Sequence, residues 1–268
     1  MISVIIAHDP ERLDVDLDGL KCDILQQLAE LGMWRSEVLI GDDGSKSSAR
    51  NKQSRKAKGE ILVFLDDDVQ LRRNFFTELL EPFQDPHVGI VGGVNLAFPG
   101  IRGREEISAV LMSSPFLWFR STARYTPRGG IRDSDEAELI GCCLAVRKKA
   151  FDQAGGFPLD VIPCEENVLI SRIQILGWRV IYNPFAIVYH RRAKFPDGYA
   201  RKVFGYGMGR GIMMRQHLSL GAPKTFWKPS WKWILYFLGF CIHHISYFSG
   251  VLYGYFIKRK HGERDELK

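Results

Sequence analysis

Three consecutive carboxylates, Asp66-Asp67-Asp68, directly follow the apolar run Ile61-Leu62-Val63-Phe64-Leu65. Like charges this close repel one another, and a hard divalent cation is the usual means of offsetting the repulsion. Mg²⁺ or Mn²⁺ held by one or two carboxylates completes its shell with waters and phosphate oxygens, so the triplet implies a nucleotide diphosphate beside it. A second acidic segment, Asp42-Asp43-Gly44-Ser45, follows Val38-Leu39-Ile40, although Asp-Gly-Ser is also ordinary turn chemistry. A third, Glu165-Glu166, opens a stretch whose Leu169, Ile173 and Leu176 share one helical face. Carboxylates there either cap the helix against its macrodipole or supply a general base. His190 ends the run Ile187-Val188-Tyr189, and a neutral imidazole can ligate a divalent metal, though a lone histidine is more often structural.

The elements that must hold these groups read as an α/β domain. Val4-Ile5-Ile6, Val38-Leu39-Ile40, Ile61–Leu65 and Gly89–Gly93 are short, continuously apolar runs of the kind found inside a parallel sheet covered on both faces. Leu17, Leu20, Ile24, Leu25 and Leu28 recur at helical spacing, and Asn74 is placed to cap a helix carrying Phe75, Phe76, Leu79, Leu80 and Phe83. This βαβ rhythm predicts a doubly wound, mostly parallel sheet, in which ligands collect at the carboxyl ends of the strands. Val180-Ile181-Tyr182 and Ile187-Val188-Tyr189 read as two further strands. Residues 100–135, rich in Arg, Ser, Pro and Gly, read as a long mobile loop.

After about residue 198 the pattern changes. A glycine-rich, basic stretch leads to an almost uninterrupted aromatic and aliphatic run at 231–257, followed by Lys258-Arg259-Lys260. The run exceeds the ~20 residues needed to cross a hydrocarbon core. Yet His243-His244 near its centre, its many Trp and Tyr residues and the basic groups at both ends favour attachment along one membrane face over a single span. The expected division is a catalytic domain at 1–197, a basic connector at 198–228 and a membrane-association segment with a basic tail at 229–268.

With 268 residues, 46% of them hydrophobic, the chain is long enough for a sizeable core. A net charge of +6 favours anionic partners such as nucleotides or lipid phosphates and is too small to suggest nucleic acid. Five cysteines without a CxxC pair argue against a disulfide framework or zinc cluster, and the N-terminus carries no signal-peptide pattern. The catalytic domain is therefore expected on the cytoplasmic face of the cell membrane.

Four segments, in order, carry a family resemblance: "EVLIGDDGS", "ARN…KAKGEILVFLDDDV", "GCCLAVRKKAFDQAGGFP" and "EENVLISRIQILGWRVIYNPFAIVYH". Across about residues 2–192 the chain resembles family-2 glycosyltransferases with the GT-A fold. That resemblance implies a UDP- or GDP-sugar donor and Mg²⁺ or Mn²⁺. It implies that Asp43, with Asp42, contacts the base, and that the turn from Ala7 through Asp9, with Arg50, borders base and ribose. Asp66 would face ribose and metal, with its neighbour Asp67 also on the nucleotide sugar, Asp68 would ligate the metal directly, and His190 would approach the metal or diphosphate. Gly141 and Cys142 would pass beneath the donor, and Glu166, preceded by Glu165, would be the catalytic base. The family usually has Asp at that position, and Glu166 is one methylene longer.

The activity so implied is a single displacement at the anomeric carbon with inversion, and the apolar run at 231–257 with the basic stretch before it points to a lipid-linked or membrane-proximal acceptor. Two other classes compete with it. A sugar nucleotidyltransferase would carry a glycine-rich basic loop after the first strand, where this chain has His8-Asp9-Pro10-Glu11-Arg12. A non-catalytic sugar-nucleotide-binding membrane protein would lack a carboxylate near residue 166.

Overall fold

The computed structural model describes residues 1–268 except 13, 43, 162, 216–240, 252 and 255–268. The chain opens with β1 (Ile2–Ala7), α1 (Leu17–Glu30), β2 (Glu37–Gly41), α2 (Lys46–Lys56) and β3 (Ile61–Asp66). There follow β4 (Val69–Leu71), α3 (Phe75–Leu80), β5 (Val88–Ala97), α4 (Arg104–Met112), α5 (Pro115–Trp118) and β6 (Arg132–Asp133). The order is completed by β7 (Cys143–Arg147), α6 (Lys148–Gln153), α7 (Glu165–Ile175), β8 (Arg179–His190) and α8 (Asp197–Arg215), and residues 241–251 are helical.

Two compact units result. The first takes in Met1–Pro99, Ala123–Leu159 and Glu166–Arg191, and the second Gly100–Thr122, Asp160–Glu165 and Arg192–Lys268. The eight strands among the described residues belong to the first, paired in the order β2-β1-β3-β7-β5-β8-β4, with β6 on β8. β1 runs parallel to β2 and β3, and β5 parallel to β8. β7 lies antiparallel between β3 and β5, and β4 and β6 are antiparallel to β8. The sheet is thus mixed, where the apolar runs predict a mostly parallel one.

The core packs directly beneath the strand that ends in the acidic triplet. Phe64 on β3 meets Phe157 edge to face at 4.9 Å, and Phe151 lies 5.7 Å from Phe157. Burying one such ring contributes roughly 1.5–3 kcal/mol, so this cluster fixes the end of β3 firmly. Gly93 on β5 is required by packing, because a Cβ there would stand 2.1 Å from the Ala186 carbonyl oxygen and 2.6 Å from Cys143 Sγ.

Four local expectations change. The two runs at 180–182 and 187–189 are halves of the single strand β8; its pairing with β5 shifts register between them, where Asn183 donates to the Glu78 carbonyl at 2.7 Å. Residues 100–135 hold α4, α5 and β6 in place of one long loop. Asn74 precedes α3 without a side-chain capping bond. Leu176 falls beyond the end of α7 and is exposed, whereas Leu169 and Ile173 are fully buried.

In the second unit, α8 packs against the helix at 241–251 through glycine. A Cβ on Gly207 would lie 2.0 Å from the Tyr247 carbonyl oxygen, and one on Gly250 2.0 Å from that of Phe204. Tyr199 and His243 share a buried hydrogen bond at 3.2 Å, and burial, then the neighbouring His244, moves His243 from the usual 6.5 down to about 3. Among the described residues no helix is long and apolar enough to cross a membrane. Of the expected membrane segment, residues 229–240, 252 and 255–268 lie outside the described residues.

Candidate functional site

Strand register brings the acidic residues together. Ala7 at the end of β1 pairs with Gly41 on β2 and Asp66 on β3, so three carboxyl ends come level. After Asp67 and Asp68 the chain enters β4, whose Val69 pairs with His190 on β8. The turn Asp67-Asp68 is thereby carried to the imidazole. Ligand atoms of Asp66, Asp68 and His190 lie within 4.8 Å of one another, with His190 Nε2 3.1 Å from Asp68 Oδ1 and 3.5 Å from Asp66 Oδ2. His190 Nδ1 lies 2.8 Å from the Arg191 carbonyl oxygen, which can only accept, so Nδ1 carries the proton of that bond. Nε2 therefore faces two carboxylates, an arrangement that suits a cation between them. Two carboxylates and an imidazole are also a donor set that Mg²⁺ or Mn²⁺ accepts.

The repulsion within the triplet is offset by basic side chains. Gly44 takes a positive φ of 62° and Ser45 caps α2, accepting from Ser48 N at 3.2 Å. On the helix so started, Lys46 and Arg50 stand one turn apart and reach the same carboxylate. Lys46 Nζ lies 2.7 Å from Asp66 Oδ2, and Arg50 donates to Asp66 Oδ1 at 2.8 Å. Burial alone would push Asp66 up, but Lys46, the neighbouring His190 and Arg50 hold it well below the usual carboxylate range. Arg12, from the loop after β1, donates to Asp67 Oδ1 at 3.2 Å and lies 3.0 Å from Asp68 Oδ2. Three carboxylates thus meet Lys46, Arg50 and Arg12, so the triplet does not by itself require a metal for charge balance.

Asp67 has a second task. Its Oδ2 lies 2.9 Å from His8 Nδ1 and accepts from Asp9 N at 3.2 Å, tying the loop after β1 to the acidic turn.

Arg50 also links this cluster to the candidate base. It is 2% exposed, lies over the Phe157 ring at 5.3 Å and donates to the Gly141 carbonyl at 3.3 Å. A Cβ on Gly141 would sit 3.3 Å from Arg50 and 3.4 Å from Glu166 Cβ, so the glycine occupies the narrow space between them. Glu166 lies in the first turn of α7, where the helix dipole favours a carboxylate. That turn is pinned by Arg124, which donates to Asn167 Oδ1 at 2.9 Å and to the Ala137 carbonyl at 3.0 Å. Glu166 is buried at 7% exposure, and among the described residues no hydrogen-bond or ion-pair partner engages its carboxylate.

The other sequence-predicted residues fall as follows. Cys142 is buried, its sulfur accepting from Asn95 Nδ2 at 3.1 Å. Ala7 is buried at the strand end, Asp9 and Asp42 are exposed, and Asp43 lies outside the described residues. Glu165 is buried and groups with the second unit. Sequence reading placed His8 in the turn after the first strand without its bond to Asp67, and missed Arg12, Lys46 and Asn95. Only Lys46 left a usable signal, since it stands four residues before Arg50, the spacing of one helical turn.

A family model described as Glycosyl transferase family 2 matches residues 22–155. A pre-mycofactocin glycosyltransferase of Mycobacterium tuberculosis is 28% identical over 229 residues, covering 83% of this chain and 44% of that protein. A probable N-acetylgalactosaminyltransferase 8 of Caenorhabditis elegans is 28% identical over 152 residues, covering 53% of this chain and 36% of that protein. The chain thus spans less than half the length of these relatives. Among solved structures, a mannosyltransferase from Pyrobaculum calidifontis in complex with GDP-Man and Mn²⁺ is similar with a TM-score of 0.49 at 18% identity, covering 91% of this chain and 73% of that one.

Proposed function

Because the chain belongs to glycosyltransferase family 2, whose model matches residues 22–155 of its 268, we propose that it moves a sugar from a UDP- or GDP-sugar to a hydroxyl or phosphate acceptor with inversion. The observation that carries this reading is one continuous line of groups within the first unit. Asp68, His190 and Asp66 form a cation-suited cluster, and Arg50 bridges Asp66 to Gly141, against which Glu166 rests. The relatives' printed names support glycosyl transfer and leave the sugar open.

In this reading Asp68 and His190, with Asp66 beside them, would hold Mg²⁺ or Mn²⁺, which when bound supplies positive charge opposite the departing diphosphate. Glu166 takes the proton from the acceptor oxygen. A carboxylate that no group among the described residues engages has its lone pairs available for that transfer. Lys46 adds a cation suited to phosphate oxygens. Gly141, having no side chain, lets Arg50 and Glu166 approach each other closely, while Asp42, Asp43 and the loop held by Asp67 border the base and ribose. With Mn²⁺ present, one class of sugar nucleotide, UDP- or GDP-linked, is expected to raise the melting temperature of the full chain. A ligand at 100 times its Kd stabilises by about 2.7 kcal/mol. No shift from any member of a panel of both classes would remove the donor reading.

The acceptor is proposed to be lipid-linked or membrane-proximal, with the chain on the cytoplasmic face of the cell membrane. Support comes from the 231–257 run, from the exposed Ile245, Phe248 and Tyr253 within it, and from the basic residues Arg191, Lys194, Arg201 and Arg210. Basic groups near a membrane-seeking segment draw a protein to anionic lipid by about 1 kcal/mol each. The full chain should sediment with vesicles containing anionic phospholipid; its remaining in the supernatant would remove this part of the reading.

A further inference from the structure

The acidic triplet is already balanced by basic side chains, so a divalent cation arriving at Asp68 must compete with a charge that is in place. Of the three basic groups, Arg50 is buried and bonded to the Gly141 backbone, which makes it a fixed strut. Arg12 differs: its side chain is 33% exposed and it comes from the loop between β1 and α1. That loop does not depend on it, because His8 and the Asp9 amide hold the loop through Asp67 Oδ2, whereas Arg12 uses Oδ1. Asp68 is divided in the same way, Oδ1 facing His190 and Oδ2 facing Arg12. The guanidinium can therefore leave both carboxylates without detaching the loop or the imidazole.

We propose that Arg12 is a resident counter-ion of this site, holding Asp67 and Asp68 until a divalent cation binds and then turning to the diphosphate of the donor. The planar fork that pairs with carboxylates pairs equally with phosphate, so the exchange keeps the guanidinium hydrogen-bonded in both states. It also makes metal and nucleotide binding mutually supportive, because the nucleotide supplies the anion that Arg12 needs once displaced. The inference rests on the reading of Asp66, Asp68 and His190 as a metal site.

The test measures Mn²⁺ binding to the full chain by the paramagnetic resonance signal of free Mn²⁺, then binding of UDP and of GDP at saturating Mn²⁺. Arg12→Gln is expected to bind Mn²⁺ about tenfold more tightly than the native chain and the nucleotide about tenfold more weakly. Opposite changes in the two affinities cannot come from loss of folding. Arg12→Lys, which keeps the charge, should bind Mn²⁺ as the native chain does. Arg12→Gln with unchanged or weaker Mn²⁺ binding, or with unchanged nucleotide binding, overturns the proposal, while Asp68→Asn in the same assay keeps the metal site under separate test. If Asp68→Asn binds Mn²⁺ as tightly as the native chain, the metal reading fails and Arg12's role falls with it.

Discussion

Glu166→Gln lowers turnover by about 10²–10⁴-fold, the range typical of a lost general base, and leaves donor affinity within a few-fold of native. The substitution keeps the shape of the side chain beside Gly141 and Arg50 and removes only the capacity to take a proton. Folding should be little affected, because Arg124 pins the first turn of α7 through Asn167 and not through Glu166. Steady-state turnover and nucleotide-sugar binding, measured on the same preparation, separate the two effects. Near-native turnover, joined to a collapse in Glu165→Gln, would move the base one residue toward the N-terminus.

The second large effect belongs to Asp68. Its two oxygens face His190 and Arg12, so Asp68→Asn removes an anionic ligand from the Asp66/Asp68/His190 cluster and a partner from the guanidinium. Metal-dependent turnover should fall by about 10²-fold or more, in keeping with the several kcal/mol that a bound cation supplies to a departing phosphate. The melting temperature should change little, because the Phe64, Phe151 and Phe157 core that fixes β3 is untouched. Turnover titrated with Mn²⁺ checks this directly: a native metal response in the variant would take Asp68 out of the ligand set.

Much of the candidate site was legible because its acidic members sit where strands end. Asp66-Asp67-Asp68 after a five-residue apolar run, and His190 closing another, announce their positions through composition alone. Their neutralisation was not legible. Arg12 meets residues more than fifty positions away, and nothing local in His8-Asp9-Pro10-Glu11-Arg12 says that two of these side chains will grip Asp67. Hydrophobic patterning likewise reports that a segment is buried but not its direction. Cys143-Leu144-Ala145-Val146 has the same apolar composition whichever way it runs, and its antiparallel insertion between β3 and β5 is a tertiary outcome. α4 was hidden for a related reason: Ile107 and Val110 are exposed while Leu111 and Met112 are buried, so its apolar residues do not line up on one covered face. Pro184 disguised β8 as two strands, because proline within a sheet marks an irregularity, here the register shift that separates its two halves.

The central claim is that the metal-suited cluster and Glu166 serve one reaction, glycosyl transfer from a nucleoside-diphosphate sugar. It is tested most directly by identifying the phosphate product of the full chain incubated with Mn²⁺, labelled sugar nucleotides and an acceptor mixture. Release of free nucleoside diphosphate in step with labelled sugar on the acceptor is the expected result. Release of pyrophosphate, or no metal-dependent turnover of any donor, would contradict it.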